Sequence, residues 1–413
     1  MNVRATRFPL FDSLRAIAAI AVLGTHAGVS TALYTGHSTL GQYVSRLDVG
    51  VAVFFLISGF LLYRPFVRAH LRDEPAPATG PYAWRRFLRI APAYWMALTV
   101  TTIWLGASGV FNLEGIARYY GYAQIYSDRT IGSGMAQAWT LCVEITFYVF
   151  LPVWALLMRR VARGWRAGLR AETLGVAFLF CFSIVWTLVV LSQGNSHIVH
   201  LKPELVALPA YLDHFALGMG LAILSVWLER RDELPAVLRP FDRFPALAWA
   251  AAAVAFWAVA TQIGTTARFF EPYSNLQYME RHVLYGVVAL GLILPAVVGD
   301  QTRGVVRKIL ANRVLLYLGV ISYGIYLYGG AATVQLDRWG LTDQVASWQS
   351  RLPAYLVVVA TALVFTVLIA SVSWFVLERP LLRLKGLVGG PRTPPGEALA
   401  EPAAVRAPAG RAG

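Results

Sequence analysis

The chain has 413 residues, of which 57% are hydrophobic and only 14% are charged. Soluble domains carry about 25% charged residues, so this composition excludes an ordinary soluble protein. Long apolar runs separated by short charged loops are typical of a polytopic helical membrane protein, and the alternating segments of a membrane β-barrel are not visible. We therefore expect an all-α integral membrane protein in a lipid bilayer.

Apolar runs of about 20 residues, the length that crosses a bilayer as a helix, predict about ten transmembrane helices. No internal repeat and no soluble domain is visible, so residues 1–385 are expected to form one transmembrane domain. From Gly386 the chain is rich in Pro, Gly and Ala, which predicts a disordered cytoplasmic tail over 386–413. The predicted spans are 10–29, 49–67, 87–108, 139–158, 172–192, 207–228, 245–263, 282–299, 315–336 and 352–376.

The formal net charge of +14 raises the question of a nucleic-acid partner. With the N-terminus inside, however, only eight of the 36 Lys and Arg residues fall on the outer side of the membrane. This asymmetry follows the positive-inside rule, which places both termini in the cytoplasm. It also accounts for most of the excess charge, so we expect no nucleic-acid partner.

The first predicted helix contains "FDSLRAIAAIAVLGTH", residues 11–26, with charged or titratable side chains in an apolar run. Arg15 and His26 are three helical turns apart, so they lie within about 20° of one another and about 16 Å apart along the axis. Asp12 can pair with Arg15. Ionisable groups at membrane depth usually face a cavity or a partner, which predicts a polar stripe. The alternatives are an Arg15 that snorkels to the surface and a His26 bonded to a neighbouring helix.

A second group lies in "YAWRRFLRIAPAYW", residues 82–95. Arg85, Arg86 and Arg89 fall in the first turns of the third predicted helix, on the cytoplasmic side. A helix N-terminus with three guanidinium groups favours phosphate binding. The alternative is a set of anchors that contact anionic lipid.

A third group lies in "AWTLCVEITFYVFLP", residues 138–152, which places Glu144 in the outer half of the bilayer. Because His26 is expected at a similar depth, the two could form a general-base pair in which Glu144 orients the imidazole. The alternative is a structural hydrogen bond between them. In "GVAVFFLISGFLLYRP", residues 50–65, Ser58 and Gly59 favour close helix packing, with a catalytic Ser58 as the less favoured interpretation.

The predicted outer loop 109–138 is rich in Tyr and Gly. It is either a lid or acceptor-binding surface or an interfacial aromatic belt. The sequence shows no Gly-rich phosphate loop, no Cys/His metal spacing and no G-x-S-x-G element, so we expect no metal site.

These segments, taken in order, resemble the membrane-bound acyltransferase-3 family. "FDSLRAIAAIAVLGTH" is similar to the family's opening helix, "GVAVFFLISGFLL" to its second-helix signature, and "RRFLRIAPAYW" carries its R-x-x-R at Arg86 and Arg89. "WTLCVEITFYVFLP" resembles the W-S-L-x-V-E segment, with Trp139 and Glu144 at the matching positions. "SYGIYLY" and "LERPLLRL" resemble the closing signatures.

The resemblance implies a multi-pass protein of the bacterial inner membrane that transfers an acyl group from cytoplasmic acyl-CoA, usually acetyl-CoA. The acceptor would be a hydroxyl of a glycan, a cell-envelope component or an antibiotic-like molecule. By the same resemblance His26 is catalytic, Arg15 is functional, and Arg86 and Arg89 engage CoA, with Arg85 as a weaker candidate. We expect His26 to deprotonate the acceptor directly, so that no acyl-enzyme is required.

The competing hypothesis is a transporter or flippase in which the buried charges form a pathway. The sequence shows neither inverted repeats nor helix pairs broken by Gly or Pro, which argues against it. The acceptor, the acyl chain length and the oligomeric state stay open.

Overall fold

The computed structural model describes residues 8–31, 33, 38–193, 202–265, 273–346, 348 and 350–388. This part of the chain is all-helical, with no β-strand, which confirms the predicted fold class. The tail from residue 389 onward, predicted to be disordered, lies outside the described residues. The main helices are α1 (Leu10–Ser30), α2 (Gly50–Leu71), α3 (Thr79–Leu105), α4 (Trp139–Val161), α5 (Trp165–Ser192), α6 (Leu212–Leu228), α7 (Ala246–Thr261), α8 (Asn275–Val297), α9 (Arg313–Val320), α10 (Ser322–Arg338) and α11 (Arg351–Ser373).

Helices occur at each position where the sequence predicts a span, but fewer meet the requirements for crossing a bilayer. Within the described ranges, seven helical segments are long and apolar enough, and the bent pair α9–α10 makes up to eight. The helix α7 has only 16 residues, and α3 carries the three arginines near its start. The described part of the chain therefore has the several candidate spans of a multi-pass membrane protein, but the predicted count of ten and the cytoplasmic placement of both termini are not confirmed.

The helices α2 and α6 pack backbone against backbone. A Cβ atom at Gly59 would lie 2.3 Å from the carbonyl oxygen of Phe215, so only glycine fits there. The Phe215 ring stacks on Phe55 of α2 and on Phe147 of α4, at centroid distances of 4.8 Å and 4.0 Å. The small residue in the second helix thus permits close packing, as its sequence suggests, and an aromatic cluster joins α2, α4 and α6.

The helices α9 and α10 are bent by 74° relative to one another at a short break. At the end of α9, a Cβ atom at Gly319 would lie 2.0 Å from the carbonyl oxygen of Asp12, so α9 abuts the first turn of α1. The sequence shows no helix pair broken by Gly or Pro, and the residue at this break is Ile321. A break of this kind is not visible as a gap in hydrophobicity, because both halves are apolar.

The loop between α3 and α4, predicted to lie on the outer side, is folded against α3. The Tyr94 hydroxyl donates to the carbonyl oxygen of Tyr119, and the Trp95 indole donates to that of Tyr120, each at 2.9 Å. Short helical turns at Leu113–Gly115, Ile116–Tyr120, Gln124–Tyr126 and Ala136–Ala138 organise the loop. The loop is thus an ordered cover over the end of the bundle at which α4 begins.

Candidate active site

A cavity lies among α1, α2, α3, α4 and α10 and collects most of the ionisable residues that the sequence singles out. Phe54, Phe55 and Leu141 are among its apolar lining residues. Its charged and polar lining residues are Arg15, Ser58, Arg86, Arg89, Thr140, Glu144, Tyr148, Ser322, Tyr323 and Tyr326.

Chain direction shows how this cavity is oriented. Successive long helices α1 to α4 run in alternating directions, so α1 and α3 begin at one face and α2 and α4 begin at the other. Arg15 on α1 and Arg86 on α3 lie near the starts of their helices, whereas Glu144 lies about 7 Å along α4 from the opposite end. The cavity therefore has a cationic end and an end that holds the carboxylate.

The carboxylate of Glu144 is held by a side chain from the neighbouring helix. The Ser58 hydroxyl on α2 donates a hydrogen bond of 2.6 Å to Glu144 Oε1. The Tyr148 hydroxyl, one turn further along α4, interacts with both groups. Arg15 and Arg86 lie close enough for their charges to act on Glu144. The result is a compact polar cluster inside an otherwise apolar bundle.

The arginines of the cationic end differ in how they are neutralised. Arg15 forms the predicted ion pair with Asp12, Nη1 to Oδ1, at 3.1 Å. Within the described part of the chain, Arg86 and Arg89 form no ion pair. The Nε of Arg86 is buried without a hydrogen-bond partner, and the Arg89 guanidinium lies 5.8 Å from the centre of the Trp374 ring. Arg86 is thus available to an anionic ligand, whereas the charge of Arg89 also acts on the buried carboxylate of Glu378.

Four of the residues expected at the site do not line this cavity, as far as the structure describes the chain: Asp12, His26, Arg85 and Trp139. Arg85 lies on α3 next to Arg86, but successive helical residues point about 100° apart, so it faces elsewhere. Trp139 is packed against Tyr211, with a centroid distance of 5.3 Å. His26 is half-buried on α1 beyond Val22, whose buried side chain belongs to the apolar core. The polar stripe on α1 is therefore not one continuous cavity.

The geometry does not support the expected pairing of His26 with Glu144. Glu144 Oε1 accepts its hydrogen bond from Ser58, and the carboxylate close enough to act on the His26 imidazole is that of Asp48. Asp48 is itself bonded by the Arg281 guanidinium and the Tyr285 hydroxyl. His26 thus belongs to a separate polar cluster near the C-terminal end of α1.

A further buried cluster was not anticipated from the sequence. Asp213, His214 and His282 lie close enough to hold a metal ion in common. Both carboxylate oxygens of Asp213 already accept hydrogen bonds, from Ser183 at 3.1 Å and from His282 at 2.8 Å. The signal that could have found the cluster is the presence of ionisable residues inside apolar spans. Tyr148 was also missed, although it lies four residues after Glu144 and hence on the same helix face.

A comparison with known protein families identifies the class of reaction. The chain matches the sequence model of the family described as "Acyltransferase domain" over residues 9–371. The chain belongs to the acyltransferase-3 family. It is therefore an acyltransferase that transfers groups other than aminoacyl groups.

Several curated proteins resemble this acyltransferase-3 chain. Nodulation protein 10 of Rhizobium leguminosarum bv. viciae is 28% identical over 399 residues, which cover 91% of this chain and 93% of that protein. The peptidoglycan O-acetyltransferase OatA of Listeria monocytogenes is 25% identical over 350 residues, covering 79% of this chain and 50% of OatA. A putative O-acetyltransferase of Staphylococcus aureus (strain COL) is 21% identical, covering 90% of this chain and 57% of that protein.

The chain thus spans nearly the full length of one relative but only about half of the two O-acetyltransferases. No solved structure matches it.

Proposed function

We propose that this protein is an integral-membrane O-acyltransferase that moves an acyl group, by preference acetyl, from acyl-CoA to a hydroxyl of its acceptor. The observation that carries the proposal is the cavity in which arginines from α1 and α3 meet the Ser58–Glu144 pair. The O-acetyltransferases among the relatives support an acetyl group and an oxygen acceptor.

The cationic end of the cavity suits the phosphates of CoA. Arg86 and Arg89 are one turn apart on α3, and neither forms an ion pair among the residues that the structure describes. An unpaired guanidinium inside a bundle is unfavourable unless an anion neutralises it, and phosphate accepts bidentate hydrogen bonds from arginine. Arg15, which forms an ion pair with Asp12, lines the same end of the cavity. We assign these three arginines to the donor and leave Arg85 out.

The cavity is large enough for the acyl end of the donor but too small for its nucleotide. Its free volume is about 100 Å³, well below the usual volume of a pocket for a whole cofactor. The acyl thioester at the end of the pantetheine arm is slender enough for this space, whereas the nucleotide is not. The nucleotide phosphates would stay at the arginine end, which the positive-inside rule assigns to the cytoplasm.

The acceptor is proposed to bind on the other side, near His26. There the imidazole lies in the field of the Asp48 carboxylate, which Arg281 and Tyr285 hold in place. A histidine oriented by an acidic group can take the proton of an attacking hydroxyl. We therefore propose His26 as the base for the acceptor and Glu144 as the acid–base group of the donor cavity. A glycan or another polyhydroxyl component of the cell envelope is the proposed acceptor, and the bacterial inner membrane is the proposed location.

The experiment that tests this function measures thiol release from acetyl-CoA by detergent-purified protein, with extracted cell-envelope glycan as acceptor. Wild type is compared with Arg86→Gln and with Arg160→Gln, which removes an exposed arginine from the far end of α4. The proposal requires acceptor-dependent thiol release by wild type and by Arg160→Gln, and weaker donor binding by Arg86→Gln. A folded wild-type protein that neither binds nor consumes acetyl-CoA would show that the donor is wrongly assigned.

A further inference from the structure

We propose that Ser58 is the nucleophile of the donor cavity and carries the acyl group as an ester before the acceptor receives it. The inference rests on the proposed function, because the donor is taken to be acyl-CoA. It begins from the hydrogen bond of 2.6 Å in which the Ser58 hydroxyl donates to Glu144 Oε1. A hydroxyl bonded to a carboxylate inside a cavity is the arrangement that activates a serine for attack.

The position of Ser58 is fixed by the packing of its helix. Gly59, the next residue, lies against the backbone of Phe215, where a Cβ atom would approach the carbonyl oxygen to 2.3 Å. The backbone of α2 therefore cannot shift easily at this point, and the Ser58 side chain is held facing the cavity rather than the α2–α6 contact. A nucleophile that is held in one orientation loses little entropy when the donor binds.

The surroundings of Ser58 also suit the charge that develops during attack on a thioester. The tetrahedral intermediate carries a negative oxygen, which positive charges and hydroxyl donors stabilise in a site that excludes water. Arg15 and Arg86 already act on the neighbouring carboxylate, and the Tyr148 hydroxyl interacts with Ser58 itself. Each of these three groups lines the same cavity.

The small size of the cavity gives a reason for the ester. Direct attack would require the thioester arm and the acceptor hydroxyl to occupy the cavity together, and its free volume is only about 100 Å³. An acyl group on Ser58 instead remains in the bundle after CoA has left, so the vacated space is open to the acceptor hydroxyl. The acceptor is proposed to enter from the side of His26, which does not line the cavity as far as the chain is described and whose acidic neighbour is Asp48.

Transfer takes place in two half-reactions, acylation of Ser58 and transfer of the acyl group to the acceptor. In the first, Ser58 gives its proton to Glu144 while its oxygen attacks the thioester carbon; the C–S bond breaks, and the CoA thiolate leaves and takes a proton from water. In the second, the acceptor hydroxyl gives its proton to His26 and its oxygen attacks the Ser58 ester. The ester C–O bond to Ser58 then breaks, Glu144 returns the proton to the serine oxygen, and His26 releases its proton to water.

An acyl-enzyme predicts a reaction that direct transfer does not allow. Wild-type protein should exchange isotope-labelled CoA with unlabelled acetyl-CoA in the absence of any acceptor, and mass spectrometry should find an acetyl ester on the Ser58 peptide. Ser58→Ala and Glu144→Gln should lose exchange by at least about 100-fold, the range of an acid–base contribution, while still binding acetyl-CoA. Ser58→Cys should regain exchange, through a thioester that neutral hydroxylamine cleaves.

The outcomes separate this inference from the proposed function. If wild type releases CoA with acceptor but shows no exchange without it, and Ser58→Ala retains turnover, then transfer is direct and the serine serves only to bond Glu144. If wild type neither binds nor consumes acetyl-CoA, the proposed function is wrong, and this inference is wrong as well because it requires acyl-CoA as the donor. Retained donor binding by Ser58→Ala shows that the variant is folded.

Discussion

The Gly218 backbone on α6 touches the Leu56 backbone on α2, since a Cβ atom at Gly218 would lie 2.1 Å from the Leu56 carbonyl oxygen. Two residues further along α6, a Cβ atom at Gly220 would meet only Val176, at an ordinary distance of 3.9 Å. The first glycine is thus required by packing and the second is not. Because Leu56 lies one half-turn from Ser58, this contact also sets the position of the proposed nucleophile.

Gly218→Ala should therefore destabilise the bundle by about 1–3 kcal/mol, the usual range for overpacking a closely packed contact. Gly220→Ala is the matched control and should unfold at the wild-type temperature or slightly above it, because alanine favours a helix over glycine. Thermal unfolding of both variants in detergent measures the difference. Equal unfolding temperatures would mean that α2 and α6 are not in backbone contact.

Arg86→Gln and Arg89→Gln should each raise the dissociation constant for acetyl-CoA by about 10-fold, equivalent to about 1.4 kcal/mol. Arg86→Lys should recover only part of this affinity, because an ammonium group cannot form the bidentate hydrogen bonds of a guanidinium with phosphate. Titration of CoA at low and high salt checks both statements. Arg160→Gln is the control. If Arg86→Gln binds acetyl-CoA with wild-type affinity, Arg86 on α3 does not contact the donor.

Glu144→Gln retains an oxygen that can accept the Ser58 hydrogen bond but removes the negative charge. We expect turnover to fall by about 10²–10⁴-fold, because the amide cannot take a proton. Donor affinity should stay the same or increase, since one negative charge near the phosphate-binding arginines is gone. Initial rates of thiol release and a CoA titration measure the two effects, and a rate close to wild type would contradict a proton-transfer role for Glu144.

His26→Gln should affect the two half-reactions differently. Acceptor-dependent turnover should fall by about 100-fold or more, the usual contribution of a general base, while acceptor-free CoA exchange continues. The reason is the position of His26 outside the donor cavity, next to Asp48. Both rates are measured on the same preparation. Parallel loss of exchange and turnover would place His26 in the donor half-reaction instead.

Orientation in the membrane can be tested with single cysteines at exposed positions, in a variant whose two native cysteines, Cys142 and Cys181, are replaced by alanine. Ser133→Cys lies in the loop before α4, and Arg166→Cys lies in the first turn of α5. With both termini in the cytoplasm, a membrane-impermeant maleimide should label the first variant in intact spheroplasts and the second only after permeabilisation. The reverse pattern would invert the topology inferred from the basic residues.

Much of the candidate site could be predicted from the sequence because ionisable residues are conspicuous in apolar helices. Arg15, Arg86 and Glu144 were all expected to be functional, and all three line one cavity. The Asp12–Arg15 pair was predicted by spacing alone, since residues three apart lie on one helix face. Local periodicity is sufficient for such contacts because both partners belong to the same helix.

The partners of these residues on other helices could not be predicted in the same way. Depth along a span can be counted, but depth does not say which helices are neighbours or how each is rotated. Glu144 was expected to face His26 on the ground of equal depth, whereas the bundle places Ser58 against it and Asp48 near His26. The bend between α9 and α10 was also missed, because both helices are apolar and the break between them leaves no gap in hydrophobicity.

The amino-acid sequence was sufficient to predict the lipid environment of this protein, its all-helical class, its family and the residue types of its candidate site. Those properties follow from composition, apolar run length and short motifs, all of which are local. The folded bundle was needed to show that three arginines line one cavity with the Ser58–Glu144 pair and that His26 does not line it, as far as the chain is described. The physical reason is that helix adjacency and rotation are set by side-chain packing between segments far apart in the chain, such as the fit of Gly59 and Gly218 at the α2–α6 contact.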